Sequence, residues 1–103
     1  MLNNRKRRPT HPGEVLREDV LPASGLSRVE FARRLGISLG SLYLLLKERR
    51  RVTPDLAHRL ARVFGTSPEM WLNLQQAVDV WEAFEANRSA YSKIKPLATK
   101  RVA

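Results

Sequence analysis

The chain has 103 residues, enough for one small domain with a modest core, and 43% of them are hydrophobic, an ordinary globular share. It has no cysteine, which excludes disulfides and thiolate metal sites. Its apolar runs fall well short of the roughly 20 residues a bilayer span needs. The net charge of +9 makes a polyanionic partner the first question, and where that charge sits decides its meaning.

Taken in chain order, the sequence opens on "MLNNRKRRPTH". This start is basic but is not followed by an apolar stretch, so it does not read as a secretory signal, and a cytoplasmic protein is expected. Residues 1–10 form a basic arm of charge +4, either lying in a nucleic-acid groove or disordered as a solubilising tail. The punctuation then predicts an all-α domain of five helices and no strand. The first helix begins near Pro12 and is expected to stop before Pro22, with Val15, Leu16 and Val20 buried. "SRVE" opens the second: Ser27 caps it, Glu30 is placed to reach back in a capping box, Phe31, Ala32 and Leu35 face the core, and Gly36 ends it.

Ser38 caps the third helix, in the stretch "ISLGSLYLLLKERRRV". At about 100° per residue, Leu39, Leu42, Leu45 and Leu46 fall on one core stripe. The outer face carries Gly40, Leu44 and Lys47, flanked by Ser41 and Tyr43. The fourth helix opens with Thr53–Pro54, runs through Leu56, Leu60 and Phe64, and stops at Gly65. The fifth opens with Ser67–Pro68 and is expected to run to about Asn87. Its stripe of Trp71, Leu74, Val78 and Trp81, with Ala77 and Phe84 alongside, is wide enough to serve the domain's own core and a second copy in a homodimer. Residues 88–103 show no periodicity and are expected to be a flexible basic tail, so the domain is drawn at 11–87.

The charge is unevenly divided. The tail segment 93–103 holds +4, and the flanks 11–27 and 52–92 hold −2 each. The stretch from Arg28 to Arg51 holds seven basic residues against Glu30 and Glu48. That stretch contains two helices joined by "LGIS", which is helix-turn-helix spacing, with Ala32 the small residue that lets the helices approach. Ser38, Leu39, Gly40, Ser41, Tyr43 and Leu44 are therefore the candidate base-contacting residues. Gly40 lets backbone come close, and Leu44 is suited to a thymine methyl group. Since no Arg, Asn or Gln stands there for a bidentate base contact, sequence reading is expected to lean on van der Waals contact and DNA shape. Arg28, Lys47, Arg49, Arg50 and Arg51 are the candidate phosphate contacts.

No catalytic constellation stands out. His11 and His58 have no ligand-spaced partners: His11, beside Pro12, is expected to fix the first helix, and His58 to lie on a solvated face. There is no phosphate-cradling Gly-rich loop and no G-x-S-x-G, so no enzyme activity, metal, cofactor, small-molecule ligand or membrane partner is expected. The residues leave two readings in competition: a DNA-binding regulator, and a small basic nuclease, against which no base-and-acid pair converges.

"HPGEVLREDVL" at 11–21, the helix-turn-helix, and "TPDLAHRLARVFGTSPEMWLNLQ" at 53–75, in that order, resemble the HigA/VapI antitoxins of the Xre-like (lambda-repressor-like) helix-turn-helix group. The resemblance covers roughly residues 11–78. It implies a homodimer that represses its own operon by binding double-stranded operator DNA upstream of it, and a HigB-like, mRNA-cleaving toxin as protein partner; a stand-alone DNA-binding regulator with no toxin partner is the alternative. By position, Ser38 to Tyr43 match the family's base readers and Arg28 and Lys47 its phosphate contacts. The helix from Trp71 matches the one used in dimerisation, giving Trp71, Leu74, Val78, Trp81 and Phe84 as the expected interface.

Overall fold

The computed structural model describes residues 7–98, and within them there are five helices and no strand. Arg5, Lys6, Lys100 and Arg101, which carry part of the expected basic arm and tail, lie outside the described residues. Helix α1 begins at Pro12–Val15, continues as a π-helical stretch Leu16–Val20 and ends as Leu21–Ser24. Helices α2 (Arg28–Leu35), α3 (Leu39–Leu46), α4 (Pro54–Phe64) and α5 (Pro68–Ser92) follow.

Four helix starts are set by the expected hydroxyl caps. Ser27, Ser38, Thr53 and Ser67 each accept the backbone N–H three residues on, satisfying a donor that no helical carbonyl can reach. His11 caps α1 in the same sense, its Nδ1 accepting the Gly13 N–H at 2.8 Å. His58 is exposed on α4, as expected.

Pro22 does not stop α1. A proline in a helix removes one N–H and crowds the carbonyl four residues back. The π-turn widens the spiral just before it, with the Leu21 N–H bonding Leu16 O five residues back, and the chain passes through Pro22 to Gly25. The capping box is also incomplete. Glu30 does not turn back on Ser27; its carboxylate is taken by Arg33 and Arg34 on the next turn.

The core is one cluster drawn from every helix, including Leu16, Phe31, Leu35, Leu42, Leu45, Leu56, Leu60 and Trp71. Phe31 meets Phe64 edge to face at 5.4 Å, and Phe64 meets Trp71 at 6.5 Å, so α2, α4 and α5 share one aromatic seam. Trp71 is 1% exposed and its indole N–H donates to Thr66 Oγ1 at 2.8 Å; Val78 is likewise 1% exposed. Neither has surface left for a second chain. This corrects their assignment to the dimer interface: at these two positions the apolar stripe of α5 is spent on its own domain.

Beyond Val78 the helix leaves the core. It continues to Ser92, five residues past the expected boundary at Asn87, with a kink at Asn87 itself (φ −127°, ψ 23°). Local contacts carry it across: Asn87 Nδ2 donates to Ala83 O, Arg88 pairs with Glu85 and sits 5.2 Å over the Phe84 ring, and Phe84 stacks on Tyr91. Every residue from Glu85 to Ala98 is exposed.

Candidate nucleic-acid interface

The angle between α2 and α3 is fixed from both ends. Gly36 takes φ 73°, a left-handed turn that a side chain would strain, and its N–H closes on Ala32 O. Ala32 and Leu42 are buried in that turn, as expected, and Ile37 is half-buried beside them. Arg59 from α4 then donates to Leu35 O and Gly36 O, neutralising the carbonyl end of α2. Arg17 from α1 does the same for α3, donating to Leu46 O at 2.7 Å. These two arginine caps come from helices far away in sequence, and the pattern along the chain gives no signal for them.

The end of α3 holds a feature that the "KERRR" run conceals. Glu48 has φ 64°, the left-handed position where a helix usually places Gly, and the Glu48 and Arg49 N–H groups close on Leu45 O and Leu44 O. Its carboxylate accepts from Arg17 at 3.1 Å and from Arg8 at 3.0 Å, and Arg8 also meets Glu82 at 2.7 Å. Arg8, expected in the basic arm, thus ties the N-terminal segment to the end of α3 and the middle of α5.

Hydrophobic sorting on α3 follows the helical wheel. Leu42, Leu45 and Leu46 are buried and Leu39 packs half-buried against the core. Ser38, Gly40, Tyr43, Leu44 and Lys47 are exposed and Ser41 is half-buried. A side chain at Gly40 would meet nothing nearer than Ser38 Oγ at 4.0 Å, so the glycine leaves a bare strip of backbone there. Arg28 places its guanidinium 5.6 Å from the Tyr43 ring centroid, joining the start of α2 to the middle of α3 by a cation–π contact. Val29, next to it, is 64% exposed, and Leu44 is 48% exposed. Val29 was not among the expected contacts, although its place off the Phe31–Ala32–Leu35 stripe marks it as an apolar residue with no core duty.

The charge of this region is smaller than its arginine count. Glu30 binds Arg33 and then Arg34, and those hydrogen bonds hold its carboxyl down at about 2, so it stays ionised and offsets them. Arg51 is bound to Asp79 of α5. Among the described residues, Arg28, Lys47, Arg49 and Arg50 make no ion pair; Arg28 lies beside Tyr43, and the other three follow the C-terminal end of α3. The arrangement suits an extended polyanion lying across α3: cations beside the face, and hydroxyl, backbone and apolar groups on it.

On α5, Leu74, Trp81 and Phe84 of the expected interface are half-buried, with Val80 exposed between them. No group of three or more His, Asp or Glu residues suited to a metal occurs among the described residues, and none of their helices is long and apolar enough to cross a membrane.

Comparison with known proteins places this geometry. The helix-turn-helix family model matches residues 16–71. Virulence-associated protein I of Dichelobacter nodosus is 40% identical over 89 residues, spanning 86% of this chain and 82% of that protein. Antitoxin HigA-1 of Vibrio cholerae is 31% identical over 96 residues, spanning 93% and 90%. Among solved structures, the Pseudomonas aeruginosa antitoxin HigA with the higBA promoter superimposes with a TM-score of 0.82 at 37% identity, covering 87% of this chain and 99% of that one.

Proposed function

Since the chain belongs to the helix-turn-helix family of HigA-type antitoxins, we propose that it is a cytoplasmic, non-enzymatic DNA-binding antitoxin. It represses its own operon as a dimer and silences a HigB-like RNA-cleaving toxin. Helix α3 enters the major groove. Ser38 and Ser41 hydrogen-bond at its edge, the Gly40 backbone comes close to the bases, and Leu39, Tyr43 and Leu44 make apolar contact, including with thymine methyl groups. Arg28, Lys47, Arg49 and Arg50 hold the phosphates. Dimerisation uses the outward side of α5, around Leu74, Trp81 and Phe84.

The observation that carries this reading is the set of four unpaired cations beside a carboxylate-free face on α3. It is tested by fluorescence-anisotropy titration against two duplexes across a salt series, one carrying the gene's own upstream region and the other the same bases shuffled. The operator reading predicts tighter binding to the native duplex that persists at physiological salt. Charge reversal at Arg49 and Arg50 should weaken binding to both and flatten the salt slope by about 0.9 per lost phosphate contact. Equal binding of both duplexes, collapsing with salt, would leave a phosphate clamp without a sequence reader.

A further inference from the structure

Arg51 closes the "KERRR" run, yet it differs from Arg49 and Arg50 in having a built partner. Its guanidinium meets Asp79 Oδ2 at 2.5 Å. The carboxylate is itself held, since Gln75 Nε2, one turn earlier on α5, donates to Asp79 Oδ1 at 3.0 Å. Gln75 is buried, and its Oε1 accepts the Val52 N–H at 2.8 Å, from the residue next to Arg51. A closed loop results: the backbone at 52 fixes Gln75, Gln75 aims Asp79, and Asp79 returns to the side chain at 51. The buried amide makes the carboxylate the fixed partner, and the longer, more exposed arginine is the one free to leave.

We propose that Asp79 is a positioning residue that competes with the DNA backbone for Arg51, so that Arg51 adds to binding only when a duplex is seated closely enough to displace the carboxylate. The inference rests on the DNA-binding reading above. A guanidinium neutralised by a neighbouring carboxylate contributes little to the long-range field that attracts any polyanion. At contact, a phosphate offers it acceptor geometry comparable to a carboxylate's, so the exchange is close to even. Loose, sequence-independent encounters therefore bind without Arg51, and the close-fitting operator binds with it. Exposed ion pairs are weak, which suits an exchangeable partner. The loop also joins the end of the DNA-facing segment to α5, the helix assigned to dimerisation.

The test uses the full chain as wild type, Asp79→Asn, Arg51→Ala and the double variant, titrated against the native and shuffled duplexes at several salt concentrations. Asparagine at 79 still accepts the Gln75 N–H and keeps the loop to Val52, and thermal melts check that it does. Asp79→Asn should tighten binding to the shuffled duplex by roughly two- to fivefold, the range of one exposed ion pair. It should steepen that duplex's salt slope by about 0.9, one released counterion, and leave the slope on the native duplex unchanged. In the Arg51→Ala background the same substitution should change neither slope. The proposal is overturned if Asp79→Asn alters neither affinity nor slope, or if it shifts both equally in the presence and absence of Arg51, which would make Asp79 a repelling charge only. Wild-type protein that binds neither duplex would overturn the DNA-binding reading itself, an outcome distinct from normal operator binding with a neutral Asp79→Asn.

Discussion

Gly13 offers a substitution whose sign separates helix propensity from packing. It stands in the first turn of α1, where Ala is the better helix former by up to about 1 kcal/mol, so local reasoning predicts stabilisation by Gly13→Ala. The tertiary environment predicts the opposite. A Cβ there would lie 2.0 Å from the Leu45 carbonyl oxygen and 3.1 Å from its carbon. The obstacle is backbone in the last turn of α3, and that turn is held in place by the Arg17 bond to Leu46 O and by the left-handed residue at 48. No rotamer change relieves the clash, so α1 and α3 must separate by about an ångström, and overpacking of this kind costs about 1–3 kcal/mol. With the upper end expected for an immobile obstacle, and the propensity gain set against it, the net loss is about 2 kcal/mol. In a domain of this size that lowers Tm by roughly 8–16 °C. Circular-dichroism melts of the two proteins at one concentration measure it. A variant melting at or above the wild-type temperature would refute the claim that α1 and α3 touch backbone to backbone at Gly13.

Burial, and then Arg8, lower the pKa of His11 below its ordinary 6.5, with Glu48, Glu82 and Asp79 opposing; the unfolded chain therefore takes up the proton first, and stability that is complete above pH 6.5 declines as the pH falls below it. Urea midpoints should fall between pH 7 and 5 in the wild type and stay level in His11→Asn, which keeps a capping acceptor without a titratable ring; parallel curves would remove the assignment. At Glu48 both Ala and Gly delete the ion pairs to Arg8 and Arg17, but only Ala must hold φ 64°, so Glu48→Gly should unfold about 1 kcal/mol later in urea than Glu48→Ala. Trp81→Ala should shift the sedimentation profile toward monomer, and a profile identical to wild type would take Trp81 out of the dimer interface.

What the sequence disclosed and what it withheld divide along one line. Signals that act within a turn of the chain were legible: the hydroxyl caps, the terminal glycines, the leucine stripe of α3 and the sparse face opposite it. Pro22 was misjudged because a π-turn is a local rearrangement that leaves no mark in hydrophobic periodicity. Trp71 and Val78 were misassigned because a stripe on α5 records only that a face is apolar, not which body covers it. The charge count between Arg28 and Arg51 overstated the free cations because pairing is decided by distance in space. Glu30 is close enough in sequence to have been recognised as the partner of Arg33 and Arg34, whereas Asp79 lies 28 residues from Arg51 and became visible only with the fold. Among the candidate contacts, the face from Ser38 to Leu44 was legible as a surface; Val29 was not, because a single apolar residue off the core stripe of α2 does not by itself mark a ligand-facing surface.

Helix α5 kinks at Asn87, and its two sides are stabilised differently. As far as Val78 its amides are protected by the same packing that holds the domain together, so they should exchange with solvent deuterium only through global unfolding. After Asn87 the hydrogen bonds are backed by the short-range contacts of Phe84, Arg88 and Tyr91, and they should open by fraying, at a rate set by helix–coil equilibrium and insensitive to core mutations. Amide exchange along this one helix therefore forms a gradient, and whatever covers its outer half on assembly will register first as slowed exchange there.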